Sequence, residues 1–238
     1  MITISIVNRK GGTGKTTTAI NLAGALSVRN YSVLLIDCDS QANATIGVGI
    51  NPISTNQIFE NILSTKFSNL EVMPSCRDFI QYEELAVREG YSLQALQKKL
   101  FQVKHSFKII DCPPNLSWLT INALIASDLV IVPMQAEFFS LTGLNEVVNV
   151  INTLNAKNVA KCKLHGILVT MYNIRPISMQ NICSYVKNNF YLYDTKIPRN
   201  IRLSEATSYG VPCVLWDTRC SGSIAYQEFT LELLDRLR

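Results

Sequence analysis

The chain has 238 residues, with 22 Lys+Arg against 18 Asp+Glu and a net charge of +4. Charged residues make up 17% of it and hydrophobic ones 47%, which is too little charge and too much apolar surface for a disordered chain. A total of +4 is also too small to mark a polybasic binder, so any polyanion-binding surface has to come from clustering.

Short apolar runs alternate with stretches of helical period. Strands are predicted at Thr3–Val7, Val33–Asp37, Leu70–Pro74, Phe107–Asp111, Leu129–Pro133, Gly166–Thr170 and Asp194–Ile197. Between them, helices are predicted at Lys15–Arg29, Ser92–Val103, Leu119–Ala126, Thr142–Asn155, Met179–Asn189 and Ser221–Leu237. The strand runs lack strict alternation, which suits strands buried on both faces. The expected class is therefore α/β: a mostly parallel twisted sheet with helices on both faces. With no repeat, low-complexity stretch or linker, residues 1–238 read as a single domain. The stretch from Gly47 to Glu89 is the least regular and reads as a surface excursion.

Seven cysteines are present: Cys38, Cys76, Cys112, Cys162, Cys183, Cys213 and Cys220. The number is odd and no pair has C-x-x-C spacing, so they read as reduced, core-filling thiols rather than metal or cluster ligands. Met1–Val7 enters a β-like run with no basic region or cleavage site, which argues against a signal peptide. The longest apolar runs, such as Leu129–Met134, fall far short of the ~20 residues a membrane helix needs. A cytoplasmic protein is expected.

The most specific motif is Asn8-Arg9-Lys10-Gly11-Gly12-Thr13-Gly14-Lys15-Thr16-Thr17, between a predicted strand and a predicted helix. That context is the one a phosphate loop requires. Glycines let backbone N–H groups turn around anionic oxygens, and the helix N-terminus adds its dipole. Lys15 would reach the β- and γ-phosphates of a nucleotide, and the Thr16 hydroxyl would bind Mg²⁺. Arg9 occupies the place of the usual first glycine. Lys10 is a second lysine, either a solvated loop residue or one with a separate task.

Two strands end in acid. Val33-Leu34-Leu35-Ile36-Asp37-Cys38-Asp39 carries two carboxylates at the sheet edge where α/β proteins bind ligands. They could orient a water or cap the following turn. Phe107-Lys108-Ile109-Ile110-Asp111-Cys112-Pro113-Pro114 ends in Asp111, placed to hold a Mg²⁺ shell.

The K-G-G-x-G-K-T-T loop resembles that of the deviant Walker A ATPases, the ParA/MinD superfamily. Asp37 to Thr45 is similar to the D-x-D-x-Q-A-N-A-T segment of the ParA/Soj branch, with Ser40 in place of its usual Pro. Asp111-Cys112-Pro113-Pro114 resembles that family's Walker B, although Asn115 and Trp118 depart from its continuation. Val132–Glu137 with Leu141–Leu144, Val169–Arg175 and Ile197–Ala206 match three further segments, so the likeness runs from Asn8 to about Gly222. The resemblance implies a P-loop ATPase that hydrolyses ATP weakly by itself, with Lys10, Lys15 and Asp39 as catalytic residues. Lys10 would cross a sandwich-dimer interface to the partner's nucleotide, and Asp39 would position the attacking water. Gly11 to Thr17 would bind phosphate, and Thr16, Asp39 and Asp111 would surround Mg²⁺. Asn173, Pro198 and Asn200 would lie at the adenine end, although Asn173 could equally cap a helix or a turn.

Charge is uneven along the chain. Residues 1–150 hold 11 basic and 12 acidic groups, whereas 157–202 hold eight basic residues against Asp194 alone. These are Lys157, Lys161, Lys163, Arg175, Lys187, Lys196, Arg199 and Arg202. Such clustering suits non-specific DNA, and Arg175 and Arg202 match arginines that Soj-like proteins use on DNA. Arg199 is included with them. The implied partners are non-specific DNA on the nucleoid, a second copy of the chain in an ATP-dependent homodimer, and a ParB/Spo0J-like centromere-binding protein. The final residues, Leu231 to Arg238, contain two acids and no separate amphipathic extension, so no membrane partner is expected. The alternative is a ParA/MinD-like positioning ATPase for another cargo or at the membrane.

Overall fold

The structure is a computed structural model. It describes residues 1–52, 59–76, 78–135, 137, 140–173 and 177–238, with backbone only at 80 and 177–181. The strands are β1 (Ile2–Ile6), β2 (Val33–Asp37), β3 (Leu63–Ser64), β4 (Leu70–Met73), β5 (Phe107–Asp111), β6 (Leu129–Gln135), β7 (Lys163–Tyr172) and β8 (Leu192–Pro198). The helices are α1 (Lys15–Ser27), α2 (Asn43–Gly47), α3 (Phe79–Glu89), α4 (Ala95–Phe101), α5 (Trp118–Ala126), α6 (Ser140–Ala156), α7 (Ile177–Asn189), α8 (Ile201–Ser208), α9 (Cys213–Trp216) and α10 (Ser221–Arg236).

All eight strands join one sheet in the order β3-β4-β2-β5-β1-β6-β7-β8. Every pairing is parallel except β3 with β4. Successive side chains of each strand enter opposite layers. Leu34 and Ile36 belong to the same buried layer as Leu96, Leu119, Leu144 and Val186, while Val33 and Leu35 belong to the layer that holds Ala19, Leu22, Leu203 and Phe229. β2 and β5 are buried along their whole length, which is why their sequences read as unbroken apolar runs. Each fully buried Leu or Ile contributes about 1.5–3 kcal/mol, so these two layers carry the stability of the sheet.

Helix α1 is buried on almost every side, lodged between the sheet and the α9–α10 region. At Gly24 a Cβ would meet Pro212 Cβ at 2.8 Å and Val214 Cγ2 at 3.0 Å. The glycine lets α9 lie directly on the helix that follows the phosphate loop. The stretch Gly47–Glu89, expected as a surface excursion apart from the strand at Leu70–Pro74, holds that strand as the buried β4 and departs from the expectation in α3, which drives Phe79 and Ala86 into the core.

Strand order places the site. β5 lies between β1 and β2, and Asp111 pairs in register with Ile6 on one side and Asp37 on the other. The carboxyl ends of three central strands, with the loop that follows β1, therefore converge at one point of the sheet edge, where the chain reverses its direction of winding.

Candidate functional site

Gly12 and Gly14 adopt left-handed φ values of 71° and 83°, which a Cβ would oppose. A Cβ at Gly11 or Gly12 would meet nothing within 4 Å, so the inside of the loop is an open cradle. The loop is pinned from the neighbouring strands. Gln135 Nε2 donates to Gly12 O at 2.8 Å, Thr170 Oγ1 donates to Thr13 O at 2.8 Å, and Asn8 Nδ2 donates to Pro133 O at 2.8 Å. Lys15 opens α1 and is only 7% exposed. Its ammonium curls back to Lys10 O at 3.3 Å. Burial lowers its pKa, opposed by the nearby charge of Asp111.

The acids differ sharply. Asp37 accepts from Thr45 N and Thr45 Oγ1, both at 2.7 Å, and from Asp39 N at 3.1 Å. It is the buried organiser of the turn into α2. Burial nevertheless pushes its pKa up to about 6. Asp39 is half-buried and faces the phosphate loop across a cleft of about 390 Å³, shared with Gly11 to Thr17, Gln41, Asn43, Pro114 and Met171. Its carboxylate also accepts from Gln41 N at 3.0 Å.

Asp111 is fully buried, and neither carboxylate oxygen has a hydrogen-bond partner. Burial raises its pKa well above the usual carboxylate range, and Asp37 raises it further. The Thr16 hydroxyl is the neighbour that lowers it most, without reaching hydrogen-bond geometry. An unpaired buried carboxylate beside a threonine hydroxyl and an open nest of N–H groups is a set of donors that fits Mg²⁺ and a polyphosphate.

A second cleft of about 410 Å³ adjoins the first, sharing Gly14, Thr17 and Met171 with it. Pro198, Arg199 and Asn200 line it, as do Ile201, Leu203 and Tyr226. Asn200 is also the N-cap of α8: its Oδ1 accepts from Arg202 N at 2.8 Å and its Nδ2 donates to Ser221 Oγ at 2.8 Å. Asn173 is exposed just beyond β7 and is not among the described residues lining either cleft.

Lys10 is held within its own chain. Its Nζ pairs with Glu137 Oε2 at 2.5 Å, and Arg9 pairs with Glu146 Oε1 at 2.5 Å. Two basic loop residues thus lean on acids of the β6–α6 region.

The basic segment does not form one patch. Lys163 starts β7 and Tyr172 ends it, so the two are about 30 Å apart at the rise of an extended strand. Lys157, Lys161 and Lys163 lie at the amino-terminal end of β7, remote from the phosphate loop. Arg199 and Arg202 lie at the other end, where β8 runs into α8. Arg202 is exposed, pairs with Glu205 at 3.0 Å and Asp217 at 3.7 Å, and sits over the Trp216 ring at 5.6 Å. Lys196 lies over the Tyr172 ring. Arg175 lies outside the described residues.

Some site residues were not singled out from the sequence. Gln135, which pins Gly12, sits in a segment quoted for the resemblance, as do Gln41 and Asn43. Met171 lines both clefts with φ at 51°, and nothing in the sequence marks a methionine for the left-handed region.

Fold and loop together define a P-loop nucleotide-binding α/β protein. The family model described as "AAA domain" matches residues 1–165. The chain is 37% identical over 252 residues to the chromosome partitioning protein ParA of Caulobacter vibrioides, covering 99% of this chain and 94% of that one. It is 38% identical over 245 residues to the sporulation initiation inhibitor protein Soj of Bacillus subtilis, covering 97% of each. Among solved structures, cobyrinic acid a,c-diamide synthase from Mycobacterium smegmatis, with bound ATP analog and magnesium, superposes with a TM-score of 0.85 at 27% identity, covering 100% of this chain and 96% of that chain. The chain belongs to the ParA/Soj family of the ParA/MinD superfamily. No helix among the described residues is long and apolar enough to cross a membrane.

Proposed function

We propose that this protein is an ATP-hydrolysing DNA-partitioning protein whose ATP-bound dimer binds non-specific DNA and is released by partner-stimulated hydrolysis. The observation that carries the reading is the buried, unpartnered Asp111 carboxylate beside Thr16 and the open loop of Lys10 to Thr17. Supporting it are full-length relatives that are named as partitioning proteins.

In this reading the N–H groups of Gly11 to Gly14 and the Lys15 ammonium bind the phosphates. Thr16 and Asp111 hold Mg²⁺ with Asp39 nearby, and the ion neutralises charge on the β- and γ-oxygens when bound. Asp39, half-exposed in the same cleft, orients the attacking water. Pro198 and the cleft around it take the base. Asn200 serves chiefly as the cap that fixes this wall, and Asn173 reaches the base only after a rearrangement. Lys10 leaves Glu137 and crosses to the second subunit's nucleotide. Arg199 and Arg202, at the nucleotide-binding end of the sheet, contribute to the DNA surface, and Arg175 is assigned to the same task. A ParB/Spo0J-like centromere-binding protein is the partner that stimulates turnover. The whole chain acts as one domain on the nucleoid.

The test is a DNA gel shift with ATP, ADP or no nucleotide, at two salt concentrations. Binding confined to the ATP lanes and weakened by salt supports the reading. Nucleotide-independent or salt-insensitive binding overturns it, and liposome co-sedimentation with ATP identifies a membrane-directed member instead.

A further inference from the structure

Cys213 and Cys220 are seven residues apart in the chain and their sulfurs are 3.6 Å apart. Ser223 joins them: its hydroxyl lies 3.3 Å from Cys213 Sγ and 3.4 Å from Cys220 Sγ. Cys213 is buried at the start of α9, and Cys220 is half-buried as the N-cap of α10, where its sulfur accepts from Ser223 N. The pair sits behind the wall of the 410 Å³ cleft. Ser221, the next residue, accepts the hydrogen bond from Asn200, and Gly222 carries Leu203 so closely that a Cβ there would meet it at 2.8 Å. Tyr226, one turn on, lines the cleft and bonds Thr18 of α1 at 3.0 Å. On the other side, α9 is tied to α1 through Asn21 Oδ1, which accepts from Val214 N at 3.1 Å.

We propose that Cys213 and Cys220 form a reversible disulfide whose closure is transmitted to the neighbouring cleft. The oxidant class is a hydroperoxide. The accessible Cys220 sulfur attacks the peroxide oxygen and the O–O bond breaks. This gives a sulfenic acid at Cys220 and releases an alcohol, or water if the oxidant is hydrogen peroxide. The Cys213 sulfur then attacks the Cys220 sulfur, the S–O bond breaks, and water leaves with the Cys213 proton. Two thiols lose two electrons and one peroxide gains them. A dithiol reductant reverses the exchange. Burial pushes the Cys213 thiol up to about 12, which suits it as the resolving partner rather than the first site of attack.

A disulfide requires a sulfur separation of about 2.05 Å, so the 3.6 Å contact must close by well over an ångström. Cys213 is buried and Cys220 only half-buried, so closure is expected to move the Cys220 end of α10. Its motion draws Ser221 off Asn200 and loosens the cap of α8. Losing one such hydrogen bond lowers affinity in the cleft by about three- to tenfold.

The effect on nucleotide rests on the reading of the cleft given above; bond formation does not. The full chain is treated with hydrogen peroxide, its remaining thiols are alkylated, and it is digested with trypsin without reduction. Cleavage after Arg202, Arg219 and Arg236 puts the two cysteines on separate peptides, 203–219 and 220–236, so the disulfide appears as a cross-linked pair that dithiothreitol dissolves. Cys220→Ser, which keeps an N-cap acceptor, must abolish the cross-link. Over-oxidised Cys220 without a cross-link, or a cross-link through any other cysteine, overturns the proposal. Fluorescent ATP-analogue binding, measured before and after oxidation, should weaken in the wild type and stay constant in Cys220→Ser. A cross-link that leaves affinity unchanged overturns the coupling. Failure of the reduced protein to bind nucleotide at all overturns the ATPase reading instead.

Discussion

The in-chain pair between Lys10 and Glu137 makes a quantitative demand on dimerisation. If Lys10 must leave Glu137 to reach a second subunit, that pair opposes association and is lost twice per dimer. Both side chains are substantially exposed, at 35% and 56%, so each pair is worth about 0.2–1 kcal/mol. Removing it from both subunits should strengthen the dimer by about 0.4–2 kcal/mol, or about 2- to 30-fold in dissociation constant. Glu137→Gln is the perturbation, because it removes the charge and keeps the shape. Sedimentation velocity with Mg²⁺ and a non-hydrolysable ATP analogue, across protein concentrations at low salt, reads the constant. The advantage should shrink as salt rises, since the pair is exposed and screened. Lys10→Ala should be monomeric with or without the second substitution. A Glu137→Gln dimer that is no tighter than wild type at low salt refutes the latch, and one that is weaker places Glu137 in the interface itself.

Other outcomes are expected from the same geometry. Lys15→Ala should lose nucleotide binding by fluorescence titration, and undiminished turnover would remove Lys15 from the site. Asp39→Ala should bind ATP and persist as a dimer on DNA, whereas rapid hydrolysis would end its water-orienting role. Asp37 ionises at about 6 when folded against 3.8 in the ordinary range, so the folded state holds the extra proton. Its stabilisation is complete below about pH 4 and is lost as pH rises through 6, a fall of about 3 kcal/mol. His165, held down to about 4 by burial, acts in the opposite sense and Asp111, raised by burial, in the same one, so the measurement is urea denaturation of His165→Gln with and without Asp37→Asn. Profiles that change alike with pH contradict the assignment. Gly24→Val should cost about 1–3 kcal/mol by overpacking against Pro212 and Val214, read as a lower denaturation midpoint.

The central strands were legible because they are buried on both faces, and burial writes itself as uninterrupted Val, Leu and Ile. β2 and β5 match their expected bounds residue for residue. The eight-residue helix α8 was not foreseen, and the other elements that escaped have a signal that is weak by construction. β3 is a two-residue edge strand. α2 and α9 are one turn each, too short to show a period. α3 lies in a stretch whose polar residues mask the few that reach the core, Phe79 and Ala86. Within the site, the phosphate loop could be read because glycine spacing is a backbone requirement. The pinning of that loop by Gln135 and Thr170 could not, since it joins residues more than a hundred positions apart.

Asn200 and the basic segment show why sequence proximity misleads where topology intervenes. Asn200 lies in a matched segment, and its amide is committed on both sides, to Arg202 N and to Ser221 Oγ. It can serve the cleft only as a fixed wall. Lys157 and Arg202 fall within one strongly positive run of sequence, yet β7 carries the chain across the full width of the sheet between them. Among the described residues of that run, Arg199, Arg202 and their near neighbours share an end with the nucleotide loop. In the proposed function, a polyanion that senses nucleotide state would bind there, and Arg202 would reach it at the cost of its pairs with Glu205 and Asp217. Those acids hold the arginine over Trp216, and in the proposed function they would weaken its contact with DNA and so favour release.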